Sequence, residues 1–253
     1  MEPEAVVHPV RAARARGAAG TRVATVFVSR IRRHFWFKCF GTTAFTSCFF
    51  AAYLHLLKNP PGAVTTVPLT WLDHWIAFEP LALPVYLSLW VYVSLPAAMM
   101  LERAQVVDYG IRIGALCLAG LAVFYVWPNA VPPANIDWAR YPGMAFLKGV
   151  DAAGNACPSL HVATAVFAAF WLHWMVPSLG FGSRARWINA AWCGAIVYST
   201  MATKQHVAID VLVGSMFGIA VALALKPRPL PTTRWLLPPG EPVAHPRRAP
   251  FLQ

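Results

Sequence analysis

Two histidines stand at the starts of apolar runs, in company that suits chemistry. The first closes the segment Cys157-Pro158-Ser159-Leu160-His161. Proline and serine ahead of an apolar stretch mark a helix start, where Ser159 can cap and the outward first-turn amides form an anion site. His161 then falls in the first turn, beside any bound anion. The second histidine lies in Thr203-Lys204-Gln205-His206-Val207-Ala208-Ile209-Asp210. His206 and Asp210 are four residues apart, so on a helix they share a face. A carboxylate placed there accepts from one ring nitrogen, sets the tautomer and leaves the other nitrogen as base or nucleophile. Asp210 also sits inside an otherwise apolar run, where an ionisable side chain is costly. Together the two segments suit phosphoryl transfer: one histidine attacks phosphorus and the other protonates the leaving oxygen. The competing structural reading makes His206 and Asp210 a polar pair that glues helices. Pro158-Ser159-Leu160-His161, placed on the same face, tips the balance towards catalysis.

The elements that position these residues are membrane helices. Of 253 residues 58% are hydrophobic and only 12% charged, against about 25% charged in a typical soluble domain. Six apolar runs follow one another, at 35–57, 80–100, 111–128, 159–179, 187–203 and 206–226, several near the ~20 residues of a spanning helix. The expected architecture is an all-α, polytopic membrane protein: a six-transmembrane-helix bundle over residues 34–226. Pro84 and Pro96 are candidate kinks in the second run. Ahead of the bundle, residues 1–33 carry seven arginines and read as a basic arm, partly disordered or lying on the membrane. They do not form a cleavable signal peptide, although a transit peptide has a similar composition. Residues 227–253 are proline-rich and read as a disordered tail. With both termini inside, the cytoplasmic side would hold sixteen of the Lys and Arg residues and the opposite side four, which favours that orientation. Both histidine segments then face the non-cytoplasmic side. The net charge of +11 fits this topology and contact with anionic headgroups, not nucleic acid.

At these motifs the sequence resembles the type 2 phosphatidic acid phosphatase (PAP2) superfamily of membrane phosphatases and phosphotransferases. Its three motifs are K-x6-R-P, P-S-G-H and S-R-x5-H-x3-D. Pro158-Ser159-Leu160-His161 matches the second, with Leu in place of Gly; Ser199, His206 and Asp210 match the third at the right spacing. The variant motifs look like the branch that includes inositol-phosphorylceramide synthases and their bacterial relatives. The resemblance covers about residues 110–226. It implies a PAP2-like helical core with His206 as the nucleophile, Asp210 orienting it and His161 as the general acid. It departs from the family at the cations. Thr200 stands where the third motif has Arg, and Trp127-Pro128-Asn129-Ala130-Val131-Pro132-Pro133-Ala134, near the first motif's place, has neither Lys nor Arg. Because phosphate oxygens call for positive charge, Lys204, Arg140 and Lys148, with Ser159, are the candidate phosphate ligands.

The function so implied is hydrolysis of a lipid phosphomonoester or diphosphate through a phospho-histidine, in the plasma or inner membrane, with the site facing the periplasm or exterior. The alternatives are transfer of a phospho-headgroup between lipids and a non-catalytic lipid-binding relative. The expected partners are a lipid phosphate and the bilayer. A side-chain nucleophile needs no metal or other cofactor. His34, His55, His74 and His173 read as interfacial or packing residues, and no HxxxH or acidic cluster suggests a metal or haem. The five cysteines form no CxxC pair.

Overall fold

A computed structural model describes residues 24–150 and 154–226. Residues 1–23 of the basic arm and the tail expected at 227–253 lie outside it. The described chain is almost entirely helical. A helix over residues 24–32 (α1) is followed by α2 (Phe35–Lys58), α3 (Trp71–Trp75), α4 (Leu83–Leu87), α5 (Leu89–Met99) and α6 (Arg103–Val126). Then come α7 (Pro142–Val150), α8 (Leu160–Met175), α9 (Ser183–Ala202) and α10 (Ala208–Ala224). Each of the six apolar runs is helical. Three helical stretches, Phe35–Lys58, Pro80–Met99 and Arg103–Val126, are long and apolar enough to cross a membrane, and Leu160–Met175 and Ala208–Ala224 are shorter apolar helices. The proline-containing second run breaks at Ser88, between α4 and α5, and Pro96 lies inside α5.

The helices alternate in direction, so the bundle has two distinct ends. At one end, residues 24–32 of the expected arm are helix, held by Val26 and Phe27 against the core and by cations. Arg30, only 9% exposed, donates to the Met99 and Ser178 carbonyls at 3.2 and 3.0 Å. Lys38 donates to the Ala98 carbonyl at 2.7 Å and Arg33 to the Leu101 carbonyl at 2.9 Å. The Ala98 and Met99 carbonyls at the end of α5 have no helical partners and carry the negative end of the helix dipole, so Lys38 and Arg30 cap them. At the other end, β1 (Thr65–Thr66) pairs in parallel with β2 (Asn129–Ala130), tying the segment after α2 to the segment after α6.

Helix α8 is the centre of the bundle and packs on α5, α6, α9 and α10. Its buried Leu160, Phe167 and Trp171 join Tyr53, Leu116 and Phe124 in the main core. The α8–α10 contact is the closest. A Cβ at Gly214 would lie 2.5 Å from the Ser159 carbonyl oxygen, and one at Gly218 would lie 2.5 Å from that of Ala163. This is the small-xxx-small contact by which membrane helices pack where lipid offers no hydrophobic drive. On their outer faces, α6 exposes Ile111 and Leu118 and α10 exposes Leu212, Met216 and Leu223, an apolar surface matched to hydrocarbon.

Candidate active site

The loop between α9 and α10 is built to present His206. Its turn places Lys204 in the left-handed region, at φ 54°. The amides of Gln205 and His206 donate to the Thr200 carbonyl at 3.0 and 3.1 Å. Asp210, fully buried, accepts from the Val207 amide through Oδ1 at 2.9 Å and contacts His206 Nδ1 through Oδ2 at 2.8 Å. One carboxylate therefore both caps α10 and orients the ring. The first turn of α8 is joined to the same place: the Ser159 amide donates to the Asp210 carbonyl at 3.1 Å.

The two histidines meet directly. His161 Nδ1 lies 3.1 Å from His206 Nε2. As a carboxylate Asp210 only accepts, so His206 carries its proton on Nδ1 and Nε2 presents a lone pair, to which His161 Nδ1 donates when that ring is an imidazolium. The far side of His161 is also held, with Nε2 2.8 Å from the Tyr86 hydroxyl on α4. A line of contacts thus runs Asp210–His206–His161–Tyr86. The residues expected from sequence as nucleophile, orienting carboxylate and acid are brought together.

The expected phosphate ligands are arranged differently. Ser159 is fully buried, and its Oγ accepts from the Val162 amide at 3.2 Å, so it is spent as the cap of α8. Lys204 donates to the Asp73 carbonyl at 3.2 Å and to the Ile76 carbonyl, turning into the loop around α3. Burial pulls its ammonium below the usual lysine range, against the opposing pull of Asp73. Lys148 donates to the Lys204 carbonyl at 2.8 Å and lies over the Trp138 ring. Arg140 pairs with Asp137 at 3.0 Å, with its side chain 77% exposed. Backbone carbonyls and a neighbouring carboxylate therefore hold the three cations; orphan carbonyls in a turn are strong acceptors, and long cationic side chains find them.

Other residues at the site were not foreseen from the sequence. Asp73 accepts from the Thr70 amide and, through its other oxygen, from the Ala208 amide at 2.8 Å, linking α3 to the start of α10. Asn129, in the stretch that lacks the first-motif cations, accepts from the Ala156 and Cys157 amides and donates to the Cys157 carbonyl, which fixes the approach to α8. Gln205 is 5% exposed, and its Nε2 is buried with no hydrogen-bond partner. For the close α8–α10 contact, Gly214-x3-Gly218 is the sequence signal, through its small-xxx-small spacing.

A cavity of about 230 Å³ opens beside the pair between α2, α5, α6 and α8. Its walls are apolar, with Phe45, Phe49, Trp90 and Ile113 among them, and His161 and Thr164 border it. Among the described residues no group of three or more His, Cys, Asp or Glu side chains is placed to hold a metal ion. His55, His74 and His173 are exposed, and His34 lies 3.5 Å from Arg103 Nε.

A family model described as the PAP2 superfamily matches residues 17–231. No curated protein and no solved structure matches the chain.

Proposed function

The chain belongs to the PAP2 superfamily, and from that premise we propose that it is a membrane lipid phosphatase working through a phospho-histidine. The carrying observation is His206 held between Asp210 and His161, at 2.8 and 3.1 Å. In the first step His206 Nε2 attacks phosphorus. The bond from phosphorus to the lipid oxygen breaks, and that oxygen takes the proton from His161 Nδ1. In the second step His161 takes a proton from water, whose oxygen attacks phosphorus and breaks the N–P bond. Asp210 keeps the His206 proton on Nδ1 throughout. No step needs a metal. The apolar cavity bordered by His161 supports a substrate whose hydrocarbon lies in the bilayer while its phosphate reaches the pair. The site is proposed to lie at the non-cytoplasmic end of a six-span bundle.

A second reading is transfer to an alcohol in place of water, by the same first step. The variant Pro158-Ser159-Leu160-His161, similar to the inositol-phosphorylceramide synthase branch, favours it. Purified protein incubated with 32P-labelled lipid phosphates, with and without a polyol, separates the two. Free phosphate without acceptor is the expected result; product formed only with acceptor selects transfer. His206→Ala is expected to abolish acid-labile labelling of the protein and to cut turnover by at least about 10³-fold. Wild-type turnover in both His206→Ala and His161→Ala would remove the catalytic assignment.

A further inference from the structure

We infer that Tyr86 is a positioning residue that holds the His161 proton on Nε2 and so makes Nδ1 the working atom. The inference rests on the phosphoryl-transfer reading above. Tyr86 is 1% exposed, and its hydroxyl lies 2.8 Å from His161 Nε2, the nitrogen facing away from His206. The rings are 5.2 Å apart between centroids, with Trp90 edge-on to His161 at 6.1 Å. The ring is therefore confined, and only Nδ1 faces the place where phosphorus would sit beside His206. Tyr86 lies on α4, two residues before Ser88, which separates α4 from α5.

The chemistry asks for this partner. An acid that gives up a proton at Nδ1 and regains one there keeps its other proton on Nε2 in both half-reactions. When the lipid oxygen leaves, His161 arrives as imidazolium, loses the Nδ1 proton and remains neutral with hydrogen on Nε2. When water attacks, the Nδ1 lone pair takes the proton and the imidazolium is restored. A phenol oxygen accepts from Nε2–H in both states. Being neutral, Tyr86 does not trap the imidazolium as a carboxylate would, so the Nδ1 proton stays transferable. The two histidines are thus differentiated by their backing groups: Asp210 raises the electron density of the nucleophile, and Tyr86 only orients the acid.

Tyr86→Phe keeps the ring and its packing and removes the hydroxyl. If Tyr86 serves the acid, its loss slows the first half-reaction only where the leaving oxygen needs a proton. Turnover of dioctanoyl phosphatidate should then fall about tenfold, the scale of one hydrogen bond to a charged group. First-turnover release of p-nitrophenol from p-nitrophenyl phosphate, whose leaving group departs without a proton, should fall by clearly less than the first-turnover cleavage of phosphatidate. Adding Tyr86→Phe to His161→Ala should cost nothing further, because the pair acts as one unit. Histidine 15N spectra should show His161 losing its preference for the Nε2-protonated tautomer. Equal losses on both substrates, additive losses in the double variant, or an unchanged His161 tautomer each overturn the role of Tyr86 while leaving the phosphatase standing. Wild-type protein inactive on both substrates overturns the phosphatase reading, and the role of Tyr86 with it, whatever the spectra show.

Discussion

Gln205 poses the sharpest question at the scale of single residues. It precedes the proposed nucleophile, it is 5% exposed, and its Nε2 donor has no partner. A buried donor left unmet costs about 1–3 kcal/mol, and such a cost persists where a function needs the group. The cations that the family's motifs would supply are absent, and Lys204, Lys148 and Arg140 are held elsewhere. An amide beside His206 is a reasonable donor to a phosphate oxygen. Gln205→Met keeps the length of the side chain and removes the orphan. The expected outcome is a thermal midpoint raised by a few degrees together with a roughly tenfold lower turnover of lipid phosphate. A higher midpoint with unchanged turnover would take Gln205 out of the site. At this scale the sequence was informative where chemistry is local. His206 and Asp210 announce themselves because four residues is one helical turn. Tyr86 is 75 positions from His161, and nothing in its apolar surroundings distinguishes it from a belt aromatic. The contacts of the cations were not legible for a related reason: long side chains choose among carbonyls that only the folded loops bring near.

Between elements, the catalytic geometry depends on how closely α8 and α10 approach. His161 rides on the first turn of α8, and Asp210 on the first turn of α10. The Ser159 amide to Asp210 carbonyl bond at 3.1 Å locks the two turns together, directly over Gly214. Gly214→Ala places a methyl 2.5 Å from the Ser159 carbonyl oxygen and 3.1 Å from its Cβ. Neither atom can swing aside, so the helices must part. Overpacking of this kind costs about 1–3 kcal/mol, and a shift of about 1 Å at reacting groups can cost about a hundredfold in rate. The expected outcome is a folded protein with a lower thermal midpoint and a turnover reduced far more than its stability, measured on the same detergent-purified sample. Turnover falling only in step with the folded fraction would mean that the helix spacing does not set the site. The helical character of the six apolar runs was legible because apolar runs of that length have few other solutions. The short α3 and α7, the two-residue strands and the helix at 24–32 were not. Each is fixed by partners distant in sequence, such as the Asp73 link to Ala208 and the Arg30 bonds to Met99 and Ser178.

Across the whole molecule, charge divides along the bundle axis. Arg30, Arg33, Arg103, Arg112, Arg184, Arg186 and Lys226 gather at the end opposite the histidines, whereas Lys58, Arg140, Lys148 and Lys204 lie at the histidine end. Positive charge retained on the cytoplasmic side is the main determinant of orientation in helical membrane proteins, so the histidine pair is expected to face outward. The cavity beside His161 opens among apolar helix faces, and a lipid entering it from the bilayer would bring its phosphate to that outer end. Cysteine labelling in intact cells tests the arrangement. Asn59→Cys lies just past the end of α2 at the histidine end, and Arg186→Cys lies near the start of α9 at the other; both positions are exposed. A membrane-impermeant maleimide should modify Asn59→Cys in intact cells and Arg186→Cys only after permeabilisation, with the unsubstituted protein as the control for its own cysteines. The reverse pattern would put the site on the cytoplasmic face, and the lipid phosphates available to it would then be those of the inner leaflet. Equal labelling of both positions in intact cells would place the end of α2 and the start of α9 on one side, which a bundle with these two ends on opposite faces cannot satisfy.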